Sequence, residues 1–326
     1  MQQSNTSKKS FYNHLAGLIK DRTTITLILA VLLSLTVGSL RLDKPRGMSP
    51  KTFWAEKLEW KECADAVFLG DSRVLMGTAP EVLQAYLDYE NILNFAFGAN
   101  WYCREYMDAA EELLDPQAEN KTLIMGISPN ALTWRTKGLG LFIELKETPE
   151  KERFFNRHFG PIYDFFDPMS FKDVLQGLLP STAPTRTTKY YKENGWCAVH
   201  KIGDDENNEV KRYRAFYKNR QVSDKTVDTV MQYVSRWSKQ GIKVYGFIPP
   251  TCPNMVELED TASGFDKESF VKKFTEAGGI WLDVNLTDYY SFDGSHLQDD
   301  DAIRFSNDLG KMIKEVEKKS QIVRTK

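Results

Sequence analysis

Three short polar segments of this chain carry the side chains that nucleophilic acyl chemistry requires. The first, Gly70-Asp71-Ser72-Arg73, follows the apolar run at residues 64–69. The serine hydroxyl is a candidate nucleophile, and the amide of the same residue is a candidate donor to the oxyanion that forms when a carbonyl is attacked. In the alternative interpretation, Asp71 or Ser72 only caps the helix that follows. The segment alone fits both interpretations.

The second segment, Gly98-Ala99-Asn100, follows the apolar run at residues 91–97. A glycine at position 98 allows the backbone to approach a ligand closely, and the Asn100 amide is a neutral donor suited to a developing oxyanion. We expect both groups to face Ser72. The alternative is an ordinary turn in which Asn100 caps the next helix.

The third segment, Asp293-Gly294-Ser295-His296, lies between the last apolar run and a predicted final helix. His296 is a candidate general base. The Asp293 carboxylate, three residues earlier across a glycine turn, can orient the imidazole and stabilise its protonated form. Capping of the final helix by Asp293 or Ser295 is the alternative, but it gives His296 no role. No such partner adjoins the other histidines of the chain, which are His14, His158 and His200.

Apolar runs alternate with amphipathic helices along the chain and predict the elements that position these segments. The predicted strands are 64–69, 91–97, 121–127, 243–248 and 280–284, and the predicted helices are 52–61, 80–87, 102–114, 224–240 and 299–318. Such alternation requires right-handed crossovers and gives a mainly parallel sheet with helices on both faces. The predicted fold is a three-layer α/β/α sandwich with a flavodoxin-like, five-stranded sheet. Ligand sites of such sheets lie beyond the carboxyl ends of the strands, where the three polar segments would meet.

The alternation stops between residues 130 and 220. This segment is rich in aromatic residues, proline and charge, and it is too long for a loop, so we predict an inserted subdomain. Asn130, Trp134 and Arg135 follow the third strand and are candidate substrate contacts, with aromatic rings of the insertion available to stack on sugars. The alternatives are that Asn130 is a turn residue and that most of the rings form the insertion's own core.

Residues 23–40 carry no charge, and as a helix they would be about 27 Å long, close to the thickness of a bilayer's hydrocarbon core. We predict that they form a transmembrane anchor, with residues 1–22 as a cytoplasmic tail. Residues 41–63 would then be a juxtamembrane linker and helix, and residues 64–326 an extracytoplasmic α/β domain. One alternative is a buried core helix, which the apolar residues all round the helix and the charged residues on both sides of the run disfavour. Another is a cleaved signal peptide, although no Ala-x-Ala site follows the run.

The composition excludes some classes of partner. The 326 residues include 43 Lys and Arg against 45 Asp and Glu, a net charge of −2, without a sustained basic run. Nucleic acid is therefore not an expected partner. No Cys-x-x-Cys pair is present, so we expect no structural metal, and the sequence leaves both disulfides and free thiols open. The cysteines in question are Cys63, Cys103, Cys197 and Cys252.

The three polar segments resemble blocks of the SGNH (GDSL-like) hydrolase superfamily, in the same chain order. Gly70-Asp71-Ser72 resembles the first block, Gly98-Ala99-Asn100 the third and Asp293-Gly294-Ser295-His296 the last, within residues 64–318 and with the insertion unmatched. The resemblance implies that Ser72 is the nucleophile, His296 the general base and Asp293 its orienting partner. It implies oxyanion donors at Ser72, Gly98 and Asn100. Arg73 stands where the simple GDSL signature has leucine and is a candidate substrate contact.

The predicted anchor and insertion look similar to those of membrane-tethered SGNH proteins that O-acetylate exopolysaccharides or transfer D-alanine to teichoic acids. The resemblance therefore implies serine-dependent acyl transfer or ester hydrolysis, of O-acetyl groups above all, on a cell-envelope polysaccharide or glycoconjugate, without a cofactor. It also implies an acyl donor, supplied by a membrane-embedded acyl-exporting partner. The alternative is a non-catalytic SGNH-like protein that binds polysaccharide or scaffolds an export complex.

Overall fold

The fold is known from a computed structural model. It describes residues 21–39, 46–133, 140–166, 186–202 and 208–324. The chain divides into two compact units, residues 1–44 with 161–183, and residues 45–160 with 184–326.

The first unit contains helix α1, Arg22–Ser39, which covers most of the segment predicted as a transmembrane anchor. Within the described part of the chain, no helix combines the length and the apolar character that crossing a bilayer demands. The membrane span predicted at residues 23–40 stays a prediction.

The second unit is built on a five-stranded, fully parallel sheet. Its strands are β2 (Ala66–Leu69), β3 (Ile92–Asn94), β4 (Thr122–Gly126), β7 (Lys243–Phe247) and β8 (Ile280–Trp281). Their spatial order is β3-β2-β4-β7-β8, so the first strand of the sheet along the chain lies between the second and the third. All five predicted strands are confirmed, each shorter than predicted, and the order is that of the predicted flavodoxin-like sheet.

Two hydrophobic cores, one on each face of this sheet, explain why its strands are apolar throughout. In β2, Val67 and Leu69 belong to one core, whereas Ala66 and Phe68 belong to the other. All four side chains are fully buried, because successive residues of a strand point to opposite faces. Each large apolar side chain buried in this way stabilises the fold by about 1.5–3 kcal/mol relative to an exposed position.

The helices that contribute residues to these two cores cover both faces of the sheet. They are α2 (Pro50–Glu59), α3 (Ser72–Gly77), α4 (Pro80–Leu83), α5 (Arg104–Glu112), α6 (Leu141–Lys146), α9 (Asp224–Lys239), α11 (Lys267–Glu276) and α12 (Asp299–Arg324). The other helices are α7 (Glu150–Phe166), α8 (Asn208–Tyr217) and α10 (Pro253–Ala262), of which α8 and α10 share a smaller hydrophobic cluster. Trp237 of α9 lies in one core and Phe305 of α12 in the other. This is the three-layer arrangement that the alternation of strands and helices predicts.

The region predicted as an insertion contains helices α6, α7 and α8 and a β-hairpin. The hairpin consists of β5 (Arg186–Tyr191) and β6 (Cys197–Ile202), which pair antiparallel. A two-residue strand, β1 (Arg46–Gly47), pairs parallel with β5 and completes a second, three-stranded sheet. The predicted linker 41–63 thus contributes a strand to this sheet.

A buried lysine connects this hairpin to the parallel sheet. Lys57 of α2 is fully buried and donates hydrogen bonds to the carbonyls of Ala96 (2.7 Å) and Gly195 (3.1 Å). Burial lowers the pKa of its ammonium well below the usual value. The turn of the hairpin is therefore fixed against the chain that leaves β3.

All four cysteines are free thiols in the structure. Burial raises the pKa of Cys103 and of Cys197 to about 11. Both side chains are therefore protonated and weakly nucleophilic at neutral pH.

Candidate active site

Ser72 lies at the carboxyl end of β2, as the first residue of α3. The turn before it requires a glycine, because a Cβ built on Gly70 would lie 2.3 Å from Cγ2 of Val74. Asp71 is the N-cap of α3, since its Oδ1 accepts a hydrogen bond from the amide of Arg73 at 3.0 Å. The capping interpretation is therefore correct for Asp71. The Ser72 hydroxyl does not cap the helix and forms a hydrogen bond with another side chain.

That partner is His296, whose Nε2 lies 2.8 Å from Ser72 Oγ. The other ring nitrogen, Nδ1, lies 2.8 Å from Oδ2 of Asp293. A carboxylate can only accept, so Nδ1 donates to it and Nε2 is left to accept the serine proton. The structure thus brings together three side chains that the sequence places up to 224 residues apart.

Asp293 also shapes the turn that carries the histidine. Its Oδ1 accepts hydrogen bonds from the amides of Ser295 (3.0 Å) and His296 (2.9 Å). Because α12 begins only at Asp299, the alternative that Asp293 caps the final helix is wrong. Ser295 is likewise occupied elsewhere, since its Oγ accepts from Arg73 Nε at 3.0 Å.

Electrostatics keep the Asp293 carboxyl ionised. Burial acts to raise its pKa, but the hydrogen bond and charge of His296, together with the amides of Ser295 and His296, outweigh burial and lower the pKa. A carboxylate whose pKa is lowered by folding contributes stability above the pKa of the unfolded chain. That contribution is lost as the pH falls through the folded-state pKa.

This linkage predicts the pH dependence of an Asp293→Asn variant. The amide cannot ionise, so the variant lacks the contribution at every pH. We expect the difference in unfolding free energy between wild type and variant to be largest near neutral pH and to shrink below about pH 4, where the unfolded carboxyl becomes protonated. Urea unfolding of both proteins at a series of pH values measures this difference in unfolding free energy. A difference that stays constant across the series contradicts the prediction.

The chain leaving β3 brings Asn100 to the same edge of the sheet. Asn100 is fully buried, and its Nδ2 lies 3.5 Å from the Gly70 carbonyl, next to the serine turn. It does not cap α5, whose N-cap is Cys103. A Cβ built on Gly98 would meet only Leu141 Cδ2, at 3.7 Å, and the close approach of its backbone to a ligand stays a prediction. Ala99 is the residue with a positive φ, of 49°.

Two buried tyrosines, missed by the sequence analysis, hold the strand ends in place. Tyr106 OH accepts from the Gly70 amide and lies 2.9 Å from the Phe95 carbonyl, so it joins the ends of β2 and β3. Tyr102 OH lies 3.2 Å from the Leu69 carbonyl and 3.0 Å from that of Gly126, at the end of β4. Burial raises the pKa of both phenols, which keeps them neutral hydrogen-bond donors. The sequence shows them only as aromatic residues of a predicted helix.

Arg73 is not a substrate contact. Its side chain is 1% exposed, and Nη1 and Nη2 form a bidentate ion pair with Glu259 of α10 at 3.1 and 2.7 Å. Tyr217 donates to the same carboxylate at 3.0 Å. The prediction of a substrate-binding role was wrong because nothing in the sequence shows that Glu259, 186 residues away, meets Arg73. Instead, Arg73, which follows Ser72 in the chain, is hydrogen-bonded to Ser295, which precedes His296.

A second polar contact missed from the sequence lies at the end of β4. Ser128 donates to Oδ2 of Asp71 at 2.5 Å and also accepts from the amide of Ala131, which caps a short 3-10 helix at Pro129–Leu132. A polar residue directly after the third predicted strand, 121–127, is the sequence signal from which Ser128 could have been identified. Through Ser128, the end of β4 supports the cap that orients Ser72.

Ser72 faces a cavity of about 210 Å³. The cavity is lined by Ser72, Ala99, Asn130, Arg212, Tyr213, Phe216 and Arg220. Asn130, a predicted substrate contact, is among them and lies 3.5 Å from the Tyr213 hydroxyl. Trp134 and Arg135, the other two predicted contacts, lie outside the described residues. Four lining residues come from α8 and the chain after it, which the sequence analysis did not connect with the site.

In the described part of the chain, no cluster of three or more His, Cys, Asp or Glu side chains is arranged to hold a metal ion.

Comparisons with known proteins show no family for this chain. No protein-family model matches the sequence, and no curated protein matches it. A solved structure described as a "putative platelet activating factor from Streptococcus pneumonia" is similar with 13% sequence identity and a TM-score of 0.36, over 91% of this chain and 99% of that chain. A likeness of this size supports no inference about fold or activity.

Proposed function

We propose that the protein hydrolyses or transfers an acyl ester through a covalent intermediate on Ser72. The observation that carries the proposal is the pair of 2.8 Å hydrogen bonds that runs from Asp293 through His296 to Ser72 Oγ. A base within hydrogen-bond reach of a nucleophile, itself oriented by a third group, is the arrangement that activates serine hydroxyls. The half-buried Ser72 also faces a cavity that a substrate can enter.

In the proposed reaction, His296 Nε2 removes the proton of Ser72 as Oγ bonds to the ester carbonyl carbon. The carbonyl π electrons move onto oxygen, and the amides of Ser72 and Asn100 are candidate donors to that oxyanion. When the tetrahedral intermediate collapses, the bond to the alcohol breaks and the alcohol takes the proton from His296. A second hydroxyl, from water or a sugar, then attacks the acyl-serine and releases Ser72 with its proton restored.

We also propose that the chain is an SGNH-type enzyme that acts on small acyl groups. The three polar segments follow β2, β3 and β8 in the chain order of that superfamily, and the cavity of about 210 Å³ suits an acetyl group better than a long acyl chain. An envelope polysaccharide or glycoconjugate as acceptor, an acyl-exporting partner and an extracytoplasmic location remain predictions from the sequence.

Labelling with a fluorophosphonate probe tests the proposed nucleophile. The activated serine attacks phosphorus and expels fluoride, so wild-type protein should be labelled stoichiometrically and Ser72→Ala should not be labelled. Ser235→Ala is a matched control, because Ser235 is a half-buried serine on α9 that lies outside the Ser72 cavity. This control should be labelled like wild type.

Turnover of an acetyl ester completes the test. Wild type should release acetate, and Ser72→Ala should reduce the rate to background. If wild type neither reacts with the probe nor releases acetate, the catalytic proposal fails, and the non-catalytic binding or scaffold function is left.

A further inference from the structure

Residues 211–220 are locally basic, although the chain as a whole is slightly acidic. This stretch contains five Lys or Arg and no Asp or Glu, whereas the whole chain has 43 basic and 45 acidic residues. Two of the five, Arg212 of α8 and Arg220 just after it, line the Ser72 cavity. The other three, Lys211, Arg214 and Lys218, are exposed and are not part of the cavity lining.

The cavity lining is positively charged. Among the described residues that line it, two are arginines and none is a carboxylate. The remaining lining groups are the Ser72 hydroxyl, the Asn130 amide, two aromatic rings and Ala99. A confined, partly apolar cavity with one sign of charge raises the local concentration of ligands of the opposite sign.

Both guanidinium groups keep donors for a ligand. Arg212 uses Nη1 for an ion pair with Glu209 at 3.0 Å, and its side chain is 70% exposed. A guanidinium has five N–H donors, so this single bond leaves others for a ligand. Arg220 is half-buried, with its guanidinium carbon 4.9 Å above the Phe216 ring, and among the described residues no carboxylate is ion-paired with it. Stacking leaves the N–H edge of a guanidinium available for a bidentate bond to a carboxylate or phosphate.

The element that carries Arg212 is fixed to the catalytic loop. The amide of Glu209, in the first turn of α8, donates to the Asp293 carbonyl at 3.1 Å. One turn further along, Tyr213 packs on the buried Arg73 guanidinium, 5.2 Å from the ring centre. The cationic side of the cavity is thus held in place relative to Ser72 and His296.

We infer that the Ser72 cavity binds esters that carry an anionic group, a phosphate or a carboxylate, and that Arg212 and Arg220 bind this group. The inference rests on the proposed acyl chemistry at Ser72 and names its substrate class. Arg220 contributes most, because no described carboxylate offsets its charge, whereas Glu209 partly offsets that of Arg212.

A pair of small acetyl esters tests this specificity. The probes are 1-acetylglycerol, which is neutral, and 1-acetylglycerol 3-phosphate, which differs from it by the anionic group. With wild-type protein, kcat/KM measured from acetate release should be at least about tenfold higher for the phosphate ester, the size expected for one charge-assisted contact. In Arg220→Gln the ratio of the two values should fall towards one, and in Arg212→Gln it should fall less.

Arg214→Gln is the matched control for net charge. Arg214 lies on α8, is exposed and does not line the cavity. The Arg214→Gln change removes the same unit of charge from the helix that also carries Arg212, so the ratio should stay at its wild-type value. A ratio that falls equally in Arg214→Gln and Arg220→Gln would indicate long-range attraction only and would overturn the inference.

Binding to the Ser72→Ala variant separates this inference from the proposed function. In that variant, calorimetric titration with glycerol 3-phosphate and with the methyl glycoside of glucuronic acid compares a phosphate with a carboxylate. Glycerol and methyl glucoside are their neutral counterparts. We expect at least one anion to bind about tenfold or more tightly than its neutral counterpart, and Arg220→Gln to remove the difference.

The outcomes are distinguishable. If wild type cleaves neither ester but the anions bind with dependence on Arg220, the proposed chemistry fails and the anion site stands. If wild type cleaves both esters at equal kcat/KM, or if a preference survives the double change Arg212→Gln and Arg220→Gln, the inference is wrong and the acyl chemistry stands. Absence of Arg220-dependent anion binding also overturns the inference.

Discussion

Replacing His296 by alanine is expected to lower kcat for acetyl ester turnover by about 10⁴- to 10⁶-fold. The imidazole is the group positioned to take the serine proton, with Nε2 2.8 Å from Ser72 Oγ, and an un-ionised serine is a poor nucleophile at neutral pH. Because the two side chains act as a unit, the double variant of Ser72→Ala and His296→Ala should be no less active than Ser72→Ala alone. Steady-state acetate release and the rate of fluorophosphonate labelling measure both effects.

The chain contains a matched control for this change. His200 of β6 also pairs with a carboxylate, since its Nδ1 lies 3.1 Å from Oδ1 of Asp299, but its side chain is 41% exposed and lies outside the Ser72 cavity. His200→Ala should change kcat by less than about twofold, as expected for a surface pair that contributes little. Equal losses in the two variants would mean that the effect of His296→Ala is general destabilisation and not loss of a base.

The residues of the predicted triad could be found from sequence because each follows, or lies near, the end of a predicted strand. Parallel strands bring their carboxyl ends to one edge, so correct assignment of β2 and β3 places Ser72 and Asn100 together. The position of His296 also depends on the long segment that follows β8. The Arg73–Glu259 pair could not be found this way. It depends on how α10 is rotated and docked on the sheet, and a helical pattern specifies its buried face without specifying the partner on that face.

The insertion was the least predictable part of the fold, although it gave one local signal. Asn194-Gly195 separates two runs that became β5 and β6, and an Asn-Gly pair between such runs is typical of a hairpin. Gly195 has a φ of +86°, the conformation that makes glycine favourable there. No comparable signal links α8 to Ser72, because that contact arises from packing between segments about 140 residues apart. The residues that give the site its charge were therefore missed.

Removing the buried guanidinium of Arg73 is expected to destabilise the fold by about 3–5 kcal/mol. In Arg73→Met, the Glu259 carboxylate would lose a bidentate partner while its side chain remains only 7% exposed, and a buried unpaired charge is costly. The double variant Arg73→Met with Glu259→Met removes both charges and should recover most of that loss. Urea unfolding of wild type, the two single variants and the double variant gives the coupling energy between the pair.

Two further measurements decide what the pair does. Arg236→Met is the control, since Arg236 pairs with Asp108 at 3.1 Å and with Glu111 while 42% exposed, and loss of these exposed pairs should cost less than about 1 kcal/mol. In the double variant of Arg73 and Glu259, Ser295 loses the donor at 3.0 Å that fixes it beside His296. We therefore expect fluorophosphonate labelling to slow about tenfold even where stability is restored, because small displacements of a base reduce rates strongly. If the double variant is labelled at the wild-type rate, the pair contributes to stability alone. Asp293 and its turn then suffice to hold His296 against Ser72.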